Sequence, residues 1–129
     1  MELLDKYSEE LKSDITLDVT NVRDIQMKLP IIKHKWASRL VNTKLDIFKR
    51  QKLCLKAKEE LHKKFKDKVE LSNYAICNEI DKNEVIAKIH DEIESLKYVV
   101  EYLEKVEKIL SSTTYDIKNL VELLKLEQL

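Results

Sequence analysis

Residues 86–110 read IAKIHDEIESLKYVVEYLEKVEKIL, and this stretch decides the fold. Ile86, Ile89, Ile93, Leu96, Val100, Leu103 and Leu110 recur at steps of three and four. That spacing stacks apolar side chains along one helix face in a heptad pattern. Glu107 falls on the stripe and interrupts it, with Val106 beside it. A second apolar set, Tyr98, Val99, Tyr102 and Val106, flanks the seam. Ser111-Ser112-Thr113-Thr114 then predicts a break. Thr113, with Asp116 three residues on, is placed to cap a final helix carrying Ile117, Leu120, Val121 and Leu124.

Working upstream, the helical pattern starts near Lys82. Lys66 to Asn83 has weak periodicity and contains Asn73, Asn78 and Asn83, so it reads as a connection. Before it, Val22, Ile25, Leu29, Ile32, Trp36 and Leu40 again step by three and four, and Ile47, Cys54, Ala57, Leu61 and Phe65 continue the stripe. This predicts one long helix, or two joined near Asn42-Thr43. Thr20 is the expected N-cap, with Asp24 in the first turn. Pro30 predicts a kink, or a helix start near Leu29. Asp14 to Thr20 alternates polar and apolar residues and reads as extended. A short helix over Leu3 to Leu11 precedes it.

The fold class is therefore all-α, with long central and C-terminal amphipathic helices packed antiparallel, a short N-terminal helix and an extended segment. The expected organisation is one helical domain: an N-terminal arm (1–20), a basic helical segment (21–68), a connection (69–83) and C-terminal helices for oligomerisation (84–129). The apolar stripe exceeds what one antiparallel helix pair can bury, so self-association is expected.

The 129 residues include no glycine and one proline, which excludes whole classes of site. A phosphate-binding loop or a dinucleotide fingerprint needs glycine where backbone passes close to phosphate. Leu, Lys and Glu dominate, and all favour helix. Cys54 and Cys77 fit no metal or redox spacing and read as reduced thiols. His34, His62 and His90 lack metal-ligand spacing, and Asp91, Glu92 and Glu94 read as a solvated face, so no metal and no cofactor is expected. No nucleophile–base pair stands out, and no enzyme is expected. Neither a signal peptide nor a membrane-spanning run is seen.

The zero net charge hides an asymmetry. Lys33 to Lys68 holds 13 bases against four acids, a net of +9, and the remainder of the chain is −9. Such segregation points to a polyanionic partner. At about 100° per residue, Lys49, Lys52, Lys56 and Lys63 fall opposite Cys54, within roughly 40° of the far side of the apolar stripe. A row of ammonium groups tracks a phosphate backbone without reading bases. Lys58 lies at the rim of the stripe, where its stem packs and its head reaches water. Trp36, Phe48, Phe65 and Tyr74 are the aromatics near enough to stack on bases, with Trp36 and Phe65 assigned to the core.

Three stretches, in order, carry a family resemblance. Glu9-Glu10-Leu11-Lys12-Ser13-Asp14, followed by Leu17-Asp18-Val19-Thr20, is the first. The second is Lys35-Trp36, followed by Gln51-Lys52-Leu53-Cys54-Leu55-Lys56-Ala57-Lys58. Asp81-Lys82 and Tyr115-Asp116-Ile117-Lys118-Asn119-Leu120 form the third. The set resembles the UvsY-type recombination mediators of tailed phages. Lys56-Ala57-Lys58 is similar to that family's basic Leu-Lys-Ala-Arg motif, with lysine in place of arginine. Leu61 and His62 stand where the family has an aromatic pair.

The resemblance implies a protein that binds single-stranded DNA and forms a closed hexameric or heptameric ring through its C-terminal helices. It also implies help to a RecA-like recombinase in displacing a single-strand-binding protein, in the cytoplasm of the infected host cell. Lys56 and Lys58 inherit the DNA-contact role, joined from the helical phase by Lys49, Lys52 and Lys63. Ile93, Leu96, Val100, Leu103, Ile117, Leu120 and Leu124 are the expected oligomerisation residues. The alternative is a structural interaction module whose basic helix pairs with acidic helices of its own or another subunit.

Overall fold

The computed structural model describes residues 2–68 and 72–128, with side chains for 2–66 and 72–128. Among these described residues four helices follow in order: α1 (Glu2–Ile15), α2 (Val22–Lys68), α3 (Asn73–Asp81) and α4 (Glu84–Glu127). No strand occurs among the described residues, and none of them has a positive φ. Among the described residues, a chain without glycine thus turns without any left-handed residue.

Two compact units are built from these helices, Met1–Val41 with Val99–Leu129, and Asn42–Tyr98. In the first, Leu11 of α1 packs with Val22, Ile25, Leu29, Trp36 and Leu40 of α2 and with Val99, Leu103, Val106, Leu110 and Ile117 of α4. In the second, Cys54 packs with Ile76 and Ile80 of α3 and with Ile86, Ile89 and Ile93 of α4. Within that unit Arg50 meets Glu92 and Cys54 meets His90, so α2 and α4 run antiparallel there.

The segment expected to be extended is a turn. Helix α1 continues to Ile15, and the backbone then reverses through 16–21. Asp18, not Thr20, is the capping residue. Its carboxylate accepts the amide N–H groups of Thr20 and Asn21, both at 2.8 Å, and the Thr20 hydroxyl. The Asn21 side chain accepts the Asp18 N–H in return, at 2.8 Å, making a reciprocal capping box. The Thr20 hydroxyl, followed by the amide of Asn21, holds the Asp18 carboxyl below its ordinary pKa.

Pro30 sits inside α2 without ending it. Proline costs about 3 kcal/mol in a helix interior relative to alanine. Burying Ile25, Leu29 and Trp36 around it contributes about 1.5–3 kcal/mol for each side chain, which outweighs that cost. Pro30 and Gln26 are both exposed, so the carbonyl that loses its partner lies on the solvated side. The predicted break at Ser111–Thr114 is also absent. The hydroxyls of Ser111, Thr113 and Thr114 bond back to the carbonyls of Glu107, Ile109 and Leu110. That satisfies them within the helix and leaves nothing to cap a new one.

The expected connection contains α3. Ser72 caps it, its hydroxyl accepting the Ala75 N–H at 3.2 Å. Nucleating a helix costs about 4 kcal/mol. Burial of Ile76 and Ile80 returns about 3–6 kcal/mol and holds these nine residues helical. Positions 69–71 of the expected connection, and the side chains of Asp67 and Lys68, lie outside the described residues. Asn83 then caps α4, accepting the Val85 N–H at 2.9 Å.

Along α4 the buried stripe shifts phase. It runs 86, 89, 93, then 99, 103, 106, 110, 113 and 117, with half-buried Leu96 between. The step from Leu96 to Val99 is three where the heptad calls for four. Val99 and Val106 thereby enter the core, and Glu107 turns outward. This bears on the residues expected to oligomerise. Ile93, Leu103 and Ile117 lie in the chain's own cores, and Leu96, Val100, Leu120 and Leu124 are half-buried. Apolar surface already covered by the chain's own helices cannot drive association a second time.

Candidate nucleic-acid interface

The basic segment divides into two chemically different parts. In the first, cations are held by acids of α1. Arg39 donates to both carboxylate oxygens of Glu10, at 2.6 and 3.0 Å. Lys35 donates to Glu10 at 3.0 Å and to Asp14 at 2.6 Å. Asp14 also accepts the indole N–H of Trp36 at 3.0 Å. The Trp36 ring is fully buried and meets Tyr7 edge-on, with centroids 5.4 Å apart. Arg39 lies over both rings, 4.6 Å from Trp36 and 4.9 Å from Tyr7. Lys33 is occupied too, donating to the Thr114 hydroxyl at 2.7 Å.

Titration behaviour follows from this packing. The Arg39 guanidinium, helped by Lys35, holds the Glu10 carboxyl below its ordinary pKa against the opposing effect of burial. Glu10 in turn raises Arg39. Burial works to lower Lys35, but its bonds to Asp14 and Glu10 outweigh that, and its pKa rises. The motif residues Glu10, Asp14, Lys35 and Trp36 therefore hold the fold together; sequence reading had placed Trp36 in the core but had assigned no such role to Glu10, Asp14 and Lys35. Two acids four residues apart on one helix, facing a Lys-Trp-x-x-Arg run on another, were the available signal.

The second part is different. Lys49, Lys52, Lys56 and Lys63 are exposed on α2, on the side away from buried Cys54. Lys58 is half-buried at the edge of the packed face. Among the described residues, none of these five is held in an ion pair. Arg50, one position from the ridge, points the other way and pairs with Glu92. Glu59 is exposed on the same side as the ridge and interrupts it between Lys56 and Lys63, leaving Lys49, Lys52 and Lys56 as its denser end.

Lys58 borders two open cavities of this unit. One, of about 350 Å³, is lined by Glu59, His62, Cys77, Ile80 and Asp81. The other, of about 290 Å³, includes Cys54, Leu55, His90 and Glu94. Both cysteines are free thiols. Among the described residues, no group of three His, Cys, Asp or Glu side chains is placed to hold a metal ion. No helix among them is long and apolar enough to cross a membrane.

The aromatics separate in the same way. Trp36 and Phe65 pack in the cores, as their place on the stripe predicted. Leu61 packs against the second core, and His62 lines the cavity beside Lys58. Phe48 and Tyr74 are exposed, and the Lys52 ammonium lies 4.6 Å from the centroid of the Phe48 ring.

The family model described as recombination, repair and ssDNA binding protein UvsY matches residues 10–128. The chain is also similar in structure to the crystal structure of the bacteriophage T4 recombination mediator protein UvsY. The TM-score is 0.81 and the identity 14%, over 96% of this chain and 98% of that one. Among curated proteins none matches the sequence.

Proposed function

The chain belongs to the UvsY family of recombination, repair and single-stranded-DNA-binding proteins, and from that premise we propose that it is a phage recombination mediator. It binds single-stranded DNA without sequence specificity, on the α2 ridge of Lys49, Lys52, Lys56, Lys58 and Lys63. It then helps a RecA-like recombinase to displace a single-strand-binding protein. The carrying observation is a ridge of lysines on one face of α2 that, among the described residues, have no ion-pair partner, in the same helix where Lys35, Arg39 and Arg50 are held by acids. A fold that needed these charges internally would pair them, as it pairs Lys35 and Arg39.

The mechanism is electrostatic capture. Each phosphate neutralised by a lysine releases condensed counterions, so affinity depends on salt. Association into a hexameric or heptameric ring repeats the weak site and raises avidity. The surface available for self-association is the end of α4, where Leu123 and Leu126 are exposed beside half-buried Leu120 and Leu124. The strand held by the ring is presented to the recombinase with the competing protein's grip weakened.

The rival reading, a basic helix docked on the acidic C-terminal third, has Arg50–Glu92 in its favour. Among the described residues, the five ridge lysines make no such pair. Fluorescence anisotropy with a labelled single strand across a salt series separates the two. On single strands log K falls with log salt at about −0.7 per phosphate contact. Lys56→Ala with Lys58→Ala is expected to weaken binding and to flatten the slope by about 1.4. Salt-independent binding, or full affinity in the double variant, would sink the DNA reading.

A further inference from the structure

The ridge is not purely cationic. Leu45 is exposed on the same side of α2 as Lys49, Lys52 and Lys56, and Phe48 is exposed at the edge of that side, one turn before Lys52. Phe48 is 52% exposed and belongs to neither core. Covering such a ring removes apolar surface from water and is favourable. Its surroundings select the covering group. Three ammonium groups within two helical turns favour a polyanion, and a π-face favours a flat ring. A nucleotide with its base unpaired carries both.

The geometry points to Phe48 as a base-stacking platform that confers preference for single strands over duplex. This rests on the DNA-binding reading above. In the free protein the Lys52 ammonium rests over the Phe48 ring, 4.6 Å from its centroid. An exposed cation–π contact is worth about a 2- to 5-fold factor. A base stacked on an aromatic ring is worth about 5- to 150-fold. The base therefore displaces the ammonium, and the released Lys52 becomes available to the neighbouring phosphate. One nucleotide thus engages two side chains that were engaged with each other. A duplex hides its base faces and can offer only phosphates, so it gains nothing from Phe48.

The test uses the full-length protein with Phe48→Leu and Phe48→Tyr, after circular dichroism has shown the helices intact. Three labelled probes of equal length are compared: oligothymidine, an abasic strand and a duplex. Native protein is expected to bind oligothymidine more tightly than the abasic strand. Phe48→Leu is expected to lose about 5- to 150-fold on oligothymidine per stacked base. It should lose nothing on the abasic strand and keep its salt slope, because no charge has been removed. Phe48→Tyr should restore binding. If Phe48→Leu binds oligothymidine as native protein does, the stacking assignment falls while the DNA reading stands. If native protein binds none of the probes, both fall.

Discussion

Asp14→Ala should be among the most destabilising single changes of a polar side chain in this protein. The carboxylate accepts from Lys35 at 2.6 Å and from the Trp36 indole at 3.0 Å. Trp36 is fully buried, so its N–H has no water to turn to. Leaving a buried donor unsatisfied costs about 1–3 kcal/mol. Lys35 keeps Glu10 at 3.0 Å and is about a third exposed, so its loss is small, about 0.2–1 kcal/mol. The total is about 1–4 kcal/mol, against a stability of about 6–19 kcal/mol for a chain of this length. Asp14→Asn keeps an oxygen for the indole and should cost about 1 kcal/mol or less. Urea denaturation at fixed protein concentration measures both, followed by the fluorescence of the single tryptophan and by circular dichroism. If Asp14→Asn costs as much as Asp14→Ala, the indole hydrogen bond is not the main term. If neither variant moves stability by 0.5 kcal/mol, the network is ornamental.

Glu10→Gln should be less stable than the parent at neutral pH. The Glu10 carboxyl is held below its ordinary 4.5, so its contribution is present above that pH and lost as pH falls through the folded value. The two proteins should therefore converge in acid, and a gap that persists at the lowest pH would contradict the assignment. Ile86→Ala should cost about 2–5 kcal/mol in chemical denaturation, because Ile86 is fully buried in the core beneath the lysine ridge. Pro30→Ala should raise stability by about 2 kcal/mol, restoring a helix hydrogen bond less the entropy that proline removes from the unfolded chain. A fall in melting temperature would refute it.

Most of the helical architecture was legible because periodicity reports burial. Val22 to Leu40 and Ile86 to Ile93 are buried where their spacing predicts. The misreadings share one physical cause, which is local preference overruled by packing or side-chain bonding. Pro30 and the Ser-Ser-Thr-Thr run look like breakers when read alone. Neighbouring core residues carry the helix past the first, and hydroxyl-to-carbonyl bonds absorb the second. Helix α3 has only Ile76 and Ile80 to announce it, too few for a periodic signal. The exposed lysine face was legible as a phase relation to Cys54. The acid clamp on Lys35 and Arg39 was only half legible: the spacing of Glu10 and Asp14 shows that they share a helix face, but it does not say which cations more than 20 positions away they meet.

The division of the cations has an evolutionary consequence. Among the described residues, Lys49, Lys56 and Lys63 hold no other side chain in place, so replacing any one of them leaves every described contact of the helices intact. Selection can then adjust grip on a ligand one charge at a time without repaying a folding penalty. Lys35 and Arg39 have no such freedom, since each is tied to the Glu10 carboxylate. A chain arranged this way can drift far in sequence while its backbone stays fixed, which fits a shared fold at 14% identity. It also gives the experimenter a rheostat: a ladder of ridge variants, all equally folded, that differ only in hold.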